Sequence, residues 1–238
     1  PDSVTKLVPI VSSARAASII SQKWKTNYNY LPDAFVVEGP KAGGHLGFKS
    51  NQIDDKTYTL EHLLPAVVAE TKKIKAEYNK DVPVIAAGGI YSGDDMYQIM
   101  KLGASAVQLG TRFVTTEECD ASPLFKQEYI TATESSVKII QSPVGMPGRA
   151  IGNNFLDGVQ RGERMPKSCP FKCIKSCEVE KSPYCIINAL YQAYKGNMKS
   201  GYAFAGSNAF KADKINKVKD VFAELRIGFE KAMRFDSS

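Results

Sequence analysis

Apolar residues in the first half of the chain come in short unbroken runs rather than in alternation. Residues 7–11, 34–37, 82–87 and 104–109 each read as a strand buried on both faces, the pattern of a parallel sheet. Helical spacing fills the gaps. Residues 14–24 place Ala17, Ile20 and Trp24 on one face. Residues 58–78 form a longer stretch that Pro65 interrupts or restarts. Ser92-Gly93-Asp94-Asp95 can cap a helix over residues 96–102. Strand and helix alternate four times, which predicts an α/β fold with a parallel sheet.

Each predicted strand ends in small or polar residues. The ends are Ser12-Ser13, then Glu38-Gly39-Pro40-Lys41-Ala42-Gly43-Gly44-His45-Leu46-Gly47, then Gly88-Gly89, then Gly110-Thr111. This is the edge where parallel α/β folds carry their chemistry. Two glycine turns after successive strands can expose backbone amides to an anion, as phosphate sites after the seventh and eighth strands of a (β/α)8 barrel do. The plainer alternative is two close-packed turns. His45 is one of two histidines, and the other, His62, sits in a helical pattern. Imidazole suits proton transfer near neutral pH, so His45 is the candidate catalytic residue; the plain alternative is a solvent-facing turn residue. If these are strands five to eight of a barrel, which needs ~250 residues, the first half is expected to be absent. The start of the chain, without Met and almost at once in a strand, reads as the middle of a domain.

Composition narrows the partners. The 238 residues are 43% hydrophobic, enough for a sizeable core, and 31 basic against 25 acidic residues leave a net charge of +6. The lysines are dispersed along helical stretches, with no clustered stripe and no interleaved aromatics, so nucleic acid is not expected. No run of 18 apolar residues and no signal-peptide pattern occurs, so no membrane role is expected. Five cysteines, an odd number, argue against a disulfide scaffold and for a cytoplasmic protein.

After Phe113 the pattern changes. Residues 122–132 read as a helix, and residues 137–154 as a loop-rich lid or rim. Cys169, Cys173, Cys177 and Cys185 run C-x3-C-x3-C-x7-C, which matches neither the usual zinc pairs nor a ferredoxin run. On a helix the first three would share a face as small buried hydrophobes. Packing is therefore expected, and no metal. Residues 184–194 and 211–233 read as closing helices, and the small residues 201–208 as a turn reaching the pocket rim. The domains expected are 1–136 and 137–238.

Together the segments 38–47, 84–90 and 103–113 resemble the nitronate monooxygenase (2-nitropropane dioxygenase) family, close to FMN-dependent enoyl-acyl-carrier-protein reductases; residues 142–150 look similar too. The resemblance implies a (β/α)8 TIM barrel, of which this chain holds the C-terminal half (strands five to eight) plus a mostly helical extension. It implies FMN as cofactor, on Glu38, Gly43, Gly88, Gly89, Gln108, Leu109, Gly110 and Thr111. Some relatives carry Gln where Glu38 stands. It implies His45 as the catalytic residue, facing the flavin ring, with the phosphate on Gly89 and Gly110. The expected partners are a small-molecule substrate and the N-terminal half of the barrel from the same protein; a homodimer is open.

Three functions follow. The first is oxidation of alkyl nitronates or nitroalkanes with O2 to carbonyl compounds and nitrite, with His45 as base. The second is enoyl-thioester reduction with NAD(P)H, with His45 protonating the α-carbon. The third is a non-catalytic flavin- or phosphate-binding fragment with His45 incidental.

Overall fold

The computed structural model describes residues 5–164, 166, 168–169, 171–173, 175 and 177–237. In chain order its elements are β1 (Ile10–Val11), α1 (Ala14–Tyr28), β2 (Phe35–Glu38), β3 (Gly44–His45), α2 (Leu60–Tyr78), β4 (Val84–Ala87), α3 (Gly93–Lys101), β5 (Ala106–Gln108), α4 (Thr111–Val114), α5 (Pro123–Ile130), β6 (Val137–Gln141), β7 (Pro147–Ile151), α6 (Asn154–Gln160), α7 (Ile186–Tyr194) and α8 (Val218–Asp236). They form two compact units. One contains the chain up to Ala42, Gly47–Leu109 and the segment from Lys219 on; the other contains Gly43–Leu46 and Gly110–Val218.

The first unit is an α/β layer. Its sheet has the order β1-β2-β4-β5, and every pairing is parallel. The apolar runs of β2 and β4 form strands covered on both faces: Phe35, Val37 and Ala86 are fully buried, with Ala17 of α1 and Leu64 and Val67 of α2 packed into the same core, whereas Ile10 of β1 and Ala106 and Gln108 of β5 are exposed, contrary to expectation. Each large side chain buried there contributes about 1.5–3 kcal/mol. Ser13 caps α1 by accepting a hydrogen bond from the Ala16 amide, and Asn29 ends it in the left-handed region. Pro65 does not break α2, contrary to expectation. It forfeits one helical hydrogen bond in the second turn, and the burial of Leu64 and Val67 on either side offsets that loss. Ser92 and Asp95 cap α3 reciprocally. Gly93 lets α8 approach: a Cβ there would lie 2.1 Å from the Leu225 carbonyl oxygen. Tyr97 and Lys101 of α3 both donate to the Asp236 carboxylate at the far end of α8.

The second unit is built on an antiparallel sheet of order β3-β7-β6. This corrects the loop-rich rim expected over residues 137–154. Pro147 and Gly148 read as breakers, yet proline is tolerated at the first residue of a strand. Gly145, at φ 81, closes the turn, with its amide bonded to the Ser142 carbonyl. β6 takes one side of β7 throughout, and the other side carries β3 and then a bridge from Phe204 to Ala150. Phe155, Tyr184 and Tyr202 form a buried aromatic cluster beside α7.

Two further expectations change. The last helix starts at Val218, because Asn216 is held to Thr115 and Glu117 by backbone bonds that end the preceding loop outside helical geometry. Cys169, Cys173 and Cys177 lie in irregular backbone and none is buried, so they do not share a helix face or pack as small hydrophobes. Among the described residues no helix is long and apolar enough to cross a membrane.

Asp33 ties the entry of the first unit together. Its carboxylate accepts from the Leu7 amide at 2.9 Å, from the Tyr30 hydroxyl and from Lys80 Nζ at 3.4 Å. The Tyr30 hydrogen bond, above all, lowers its pKa to about 2. The lowered pKa means the stabilisation is complete above about 3.8 and is lost as pH falls through about 2. Asp33→Ala is expected to cost about 1–2 kcal/mol at pH 7, and the gap from the parent should close towards pH 2. Urea unfolding at a series of pH values checks this.

Candidate active site

In the first unit the C-terminal ends of three strands line up. Glu38 of β2 is in register with Ala87 of β4, and Ala87 with Gln108 of β5. Gly88 and Gly89 follow Ala87, and Leu109 follows Gln108. Five of the predicted residues thus share one sheet edge. Gly88 and Gly89 have φ of 94° and 86°, a conformation that side-chain-bearing residues resist. A Cβ on Gly88 would also lie 2.8 Å from the Gly39 carbonyl oxygen, and one on Gly89 2.9 Å from Lys41 Cβ. Glu38 is half-buried at the end of its strand, and this desolvation raises its pKa.

In the second unit Gly43, His45 and Thr111 gather around the segment 204–206. A Cβ on Gly43 would lie 2.5 Å from both the Ala205 carbonyl carbon and the Gly206 nitrogen. The Gly206 amide donates to Thr111 Oγ1 at 2.9 Å. Gly110 precedes α4, with open space where a Cβ would stand.

His45 lies in β3, not in a mobile turn. Gly44 pairs with Arg149 and His45 with Gly148 of β7. The imidazole Nε2 lies 2.8 Å from Ser142 Oγ, and the ring meets the edge of Phe204 with centroids 5.1 Å apart. Burial against these neighbours lowers the His45 pKa below its ordinary value of 6.5. The result is a largely neutral imidazole at pH 7. In the tautomer whose Nε2–H donates to Ser142 Oγ, the lone pair sits on Nδ1, which is then the proton acceptor.

Ser142 and Phe204 had no role in the sequence reading, although both lie in segments it singled out. Ser142 opens the β6–β7 turn and Phe204 lies in the small-residue stretch 201–208, 97 and 159 positions from His45 respectively. No local motif links such distant positions; only the strand pairing does. The stretch 201–208 does carry Ala205 and Gly206 to Gly43 and Thr111.

Comparison with known proteins follows this geometry. The nitronate monooxygenase family model matches residues 2–227. The chain is 33% identical over 124 residues to a probable nitronate monooxygenase of Staphylococcus saprophyticus, a match covering 52% of this chain and 33% of that protein. A probable nitronate monooxygenase of Staphylococcus aureus is 34% identical over 134 residues, 55% of this chain and 35% of its own. The matched segments therefore span about a third of these relatives. Among solved structures, FabK from Thermotoga maritima is similar with a TM-score of 0.71 and 26% identity, over 97% of this chain and 62% of that one. Nitroalkane oxidase from Streptomyces ansochromogenes shares the fold with a TM-score of 0.69 at 24% identity, over 98% of this chain and 60% of its own.

Gly43→Ala is expected to lower unfolding free energy by about 2 kcal/mol or more, because a rigid backbone must move. Gly44→Ala, with open space around its Cβ but φ of 83°, should cost only about 1 kcal/mol. Urea midpoints of the two variants test the order.

Proposed function

The chain belongs to the nitronate monooxygenase family, and on that footing we propose that it carries the catalytic base of a flavin-dependent oxidoreductase that converts nitronates or nitroalkanes, with O2, to carbonyl compounds and nitrite. The observation that carries this reading is the desolvated His45, whose lowered pKa favours a base over an acid near neutrality. The names of the curated relatives support the same reaction class.

FMN is the proposed cofactor, on Glu38, Gly43, Gly88, Gly89, Gln108, Leu109, Gly110 and Thr111. Two features support the fit. Gly88 and Gly89, at positive φ, form a turn with no side chain of its own to cover its backbone. The Ser207 hydroxyl is buried without a hydrogen-bond partner among the described residues, as a group awaiting a polar ligand would be. Bound FMN would supply the electron acceptor for the substrate and the reductant for O2.

The chain's own chemistry is proton transfer and orientation. His45 Nδ1 takes the α-proton of a nitroalkane; a nitronate, already deprotonated, needs only to be oriented beside the ring. Ser142 and Phe204 hold the ring so that the lone pair is presented in one direction. Enoyl reduction asks the same histidine to deliver a proton, which needs the charged form that burial disfavours. That is the reason to prefer oxidation.

We extend the proposal to the fold. The parallel sheet ends in two open edges, β1 and β5, with Ile10 57% exposed on the first. A closed (β/α)8 barrel has no edges. The proposed completion is the N-terminal half of the barrel from the same protein, working in the cytoplasm on a small-molecule substrate.

His45→Asn in protein carrying both halves is expected to keep bound flavin and lose turnover of nitroethane by about 100-fold or more, with a smaller loss on propyl-2-nitronate, which is already deprotonated. In the parent, kcat/KM for nitroethane should rise with pH through a midpoint below 6.5, because only neutral His45 accepts the proton. Nitrite release and O2 uptake report both. NADH-dependent consumption of a crotonyl thioester, without nitrite from nitronates, would overturn the assignment; bound flavin with no turnover of either would favour a binding fragment.

A further inference from the structure

Cys169, Cys173, Cys177 and Cys185 all line one cavity of about 500 Å³ in the second unit. All four are free thiols; Cys173 and Cys177 are exposed, and Cys169 and Cys185 half-buried. Thiols used for packing are buried, so packing does not account for them. The segment they sit on has an unusual character as well. Among the described residues from 161 to 183 none is buried, and the regular structure is one short 3₁₀ turn, Val179–Lys181. Long connections with so little regular structure of their own are commonly functional.

We propose that the four cysteines form a thiolate site for a thiophilic metal centre, either a zinc ion or an iron–sulfur cluster. Both chemistries take four cysteine thiolates and carry a net double negative charge in that ligand set. The sequence between 166 and 185 supplies four lysines against two glutamates, which suits such an anionic centre. One ligand is anchored in advance. Cys185 precedes α7 and follows Tyr184, which is buried against Phe155 and Tyr202 with its hydroxyl bonded to that of Tyr202. Among the described residues no three such side chains already stand at metal-binding geometry. In this proposal the bound centre draws the remaining thiolates towards Cys185, since thiolate sites are completed by the metal they bind. The cavity is also walled by Pro143, Val144 and Gly145, the turn that follows Ser142. Metal binding would thus brace the turn that holds His45, but the site does not depend on the proposed reaction.

The test is metal and thiol analysis of the chain purified without air. The expected result is about one zinc per chain, or about four irons with equal acid-labile sulfide, with Cys119 alone titrating rapidly as a free thiol until the protein is denatured. Chelator-stripped, reduced protein should take up Zn2+ alone, or Fe2+ with sulfide under argon; the two arms separate the two centres. Cys173→Ser and Cys177→Ser, both at exposed positions, should weaken that uptake about tenfold or more, and Cys119→Ser should leave it unchanged. Metal-free protein with five freely titrating thiols that takes up neither probe overturns the proposal, as does protein in which these cysteines pair as disulfides.

Discussion

His45 is where it is because two glycines let backbone segments come together. Gly43 has no Cβ where Ala205 and Gly206 pass, and a Cβ on Gly148 would lie 2.9 Å from the Phe204 ring and 3.2 Å from the Gly44 carbonyl. Without those clearances β3 could not lie on β7 while Phe204 bridges to Ala150 on the same side. The two-residue strand β3 contributes little stability of its own. Its position is set by the strand it leans on, and β7 in turn is paired along its whole length with β6.

The chemistry follows from that packing. The ring edge of Phe204 and the hydroxyl of Ser142 replace water around the imidazole, and loss of water disfavours its charged form. A chain of ring contacts runs on from Phe204 to Tyr202 and Tyr184, at centroid separations of 5.1 and 5.7 Å. Tyr184 adjoins Cys185. The aromatic core of the second unit therefore ties the histidine to the rim of the thiol-lined cavity by contiguous packing.

The parallel sheet was legible in the sequence, because strands covered on both faces leave unbroken apolar runs such as Phe35-Val36-Val37 and Val84-Ile85-Ala86. The helix caps were equally plain: Ser92 with Asp95 is a local signal. The sheet around His45 was not. Gly145, Pro147 and Gly148 look like loop residues by composition, and only the pairing of residues about a hundred positions apart makes a hairpin and a site of them. The burial expected of Cys169, Cys173 and Cys177 rested on their spacing alone, and spacing is no evidence of packing where none of the three is buried. Glu38, Gly88, Gly89, Gln108 and Leu109 fell together because consecutive parallel strands end on one edge; no such rule predicted Ser142 or Phe204.

The most direct measurement is the pH titration of the His45 ring by 13C-edited NMR. With only two histidines in the chain, a His62→Gln variant assigns the signal. A midpoint below 6.5 that moves when Phe204 is replaced by Ala is the predicted result, since burial is the cause of the shift. A midpoint at or above 6.5 would contradict a desolvated base at this position, and with it the reason for preferring nitronate oxidation over proton delivery.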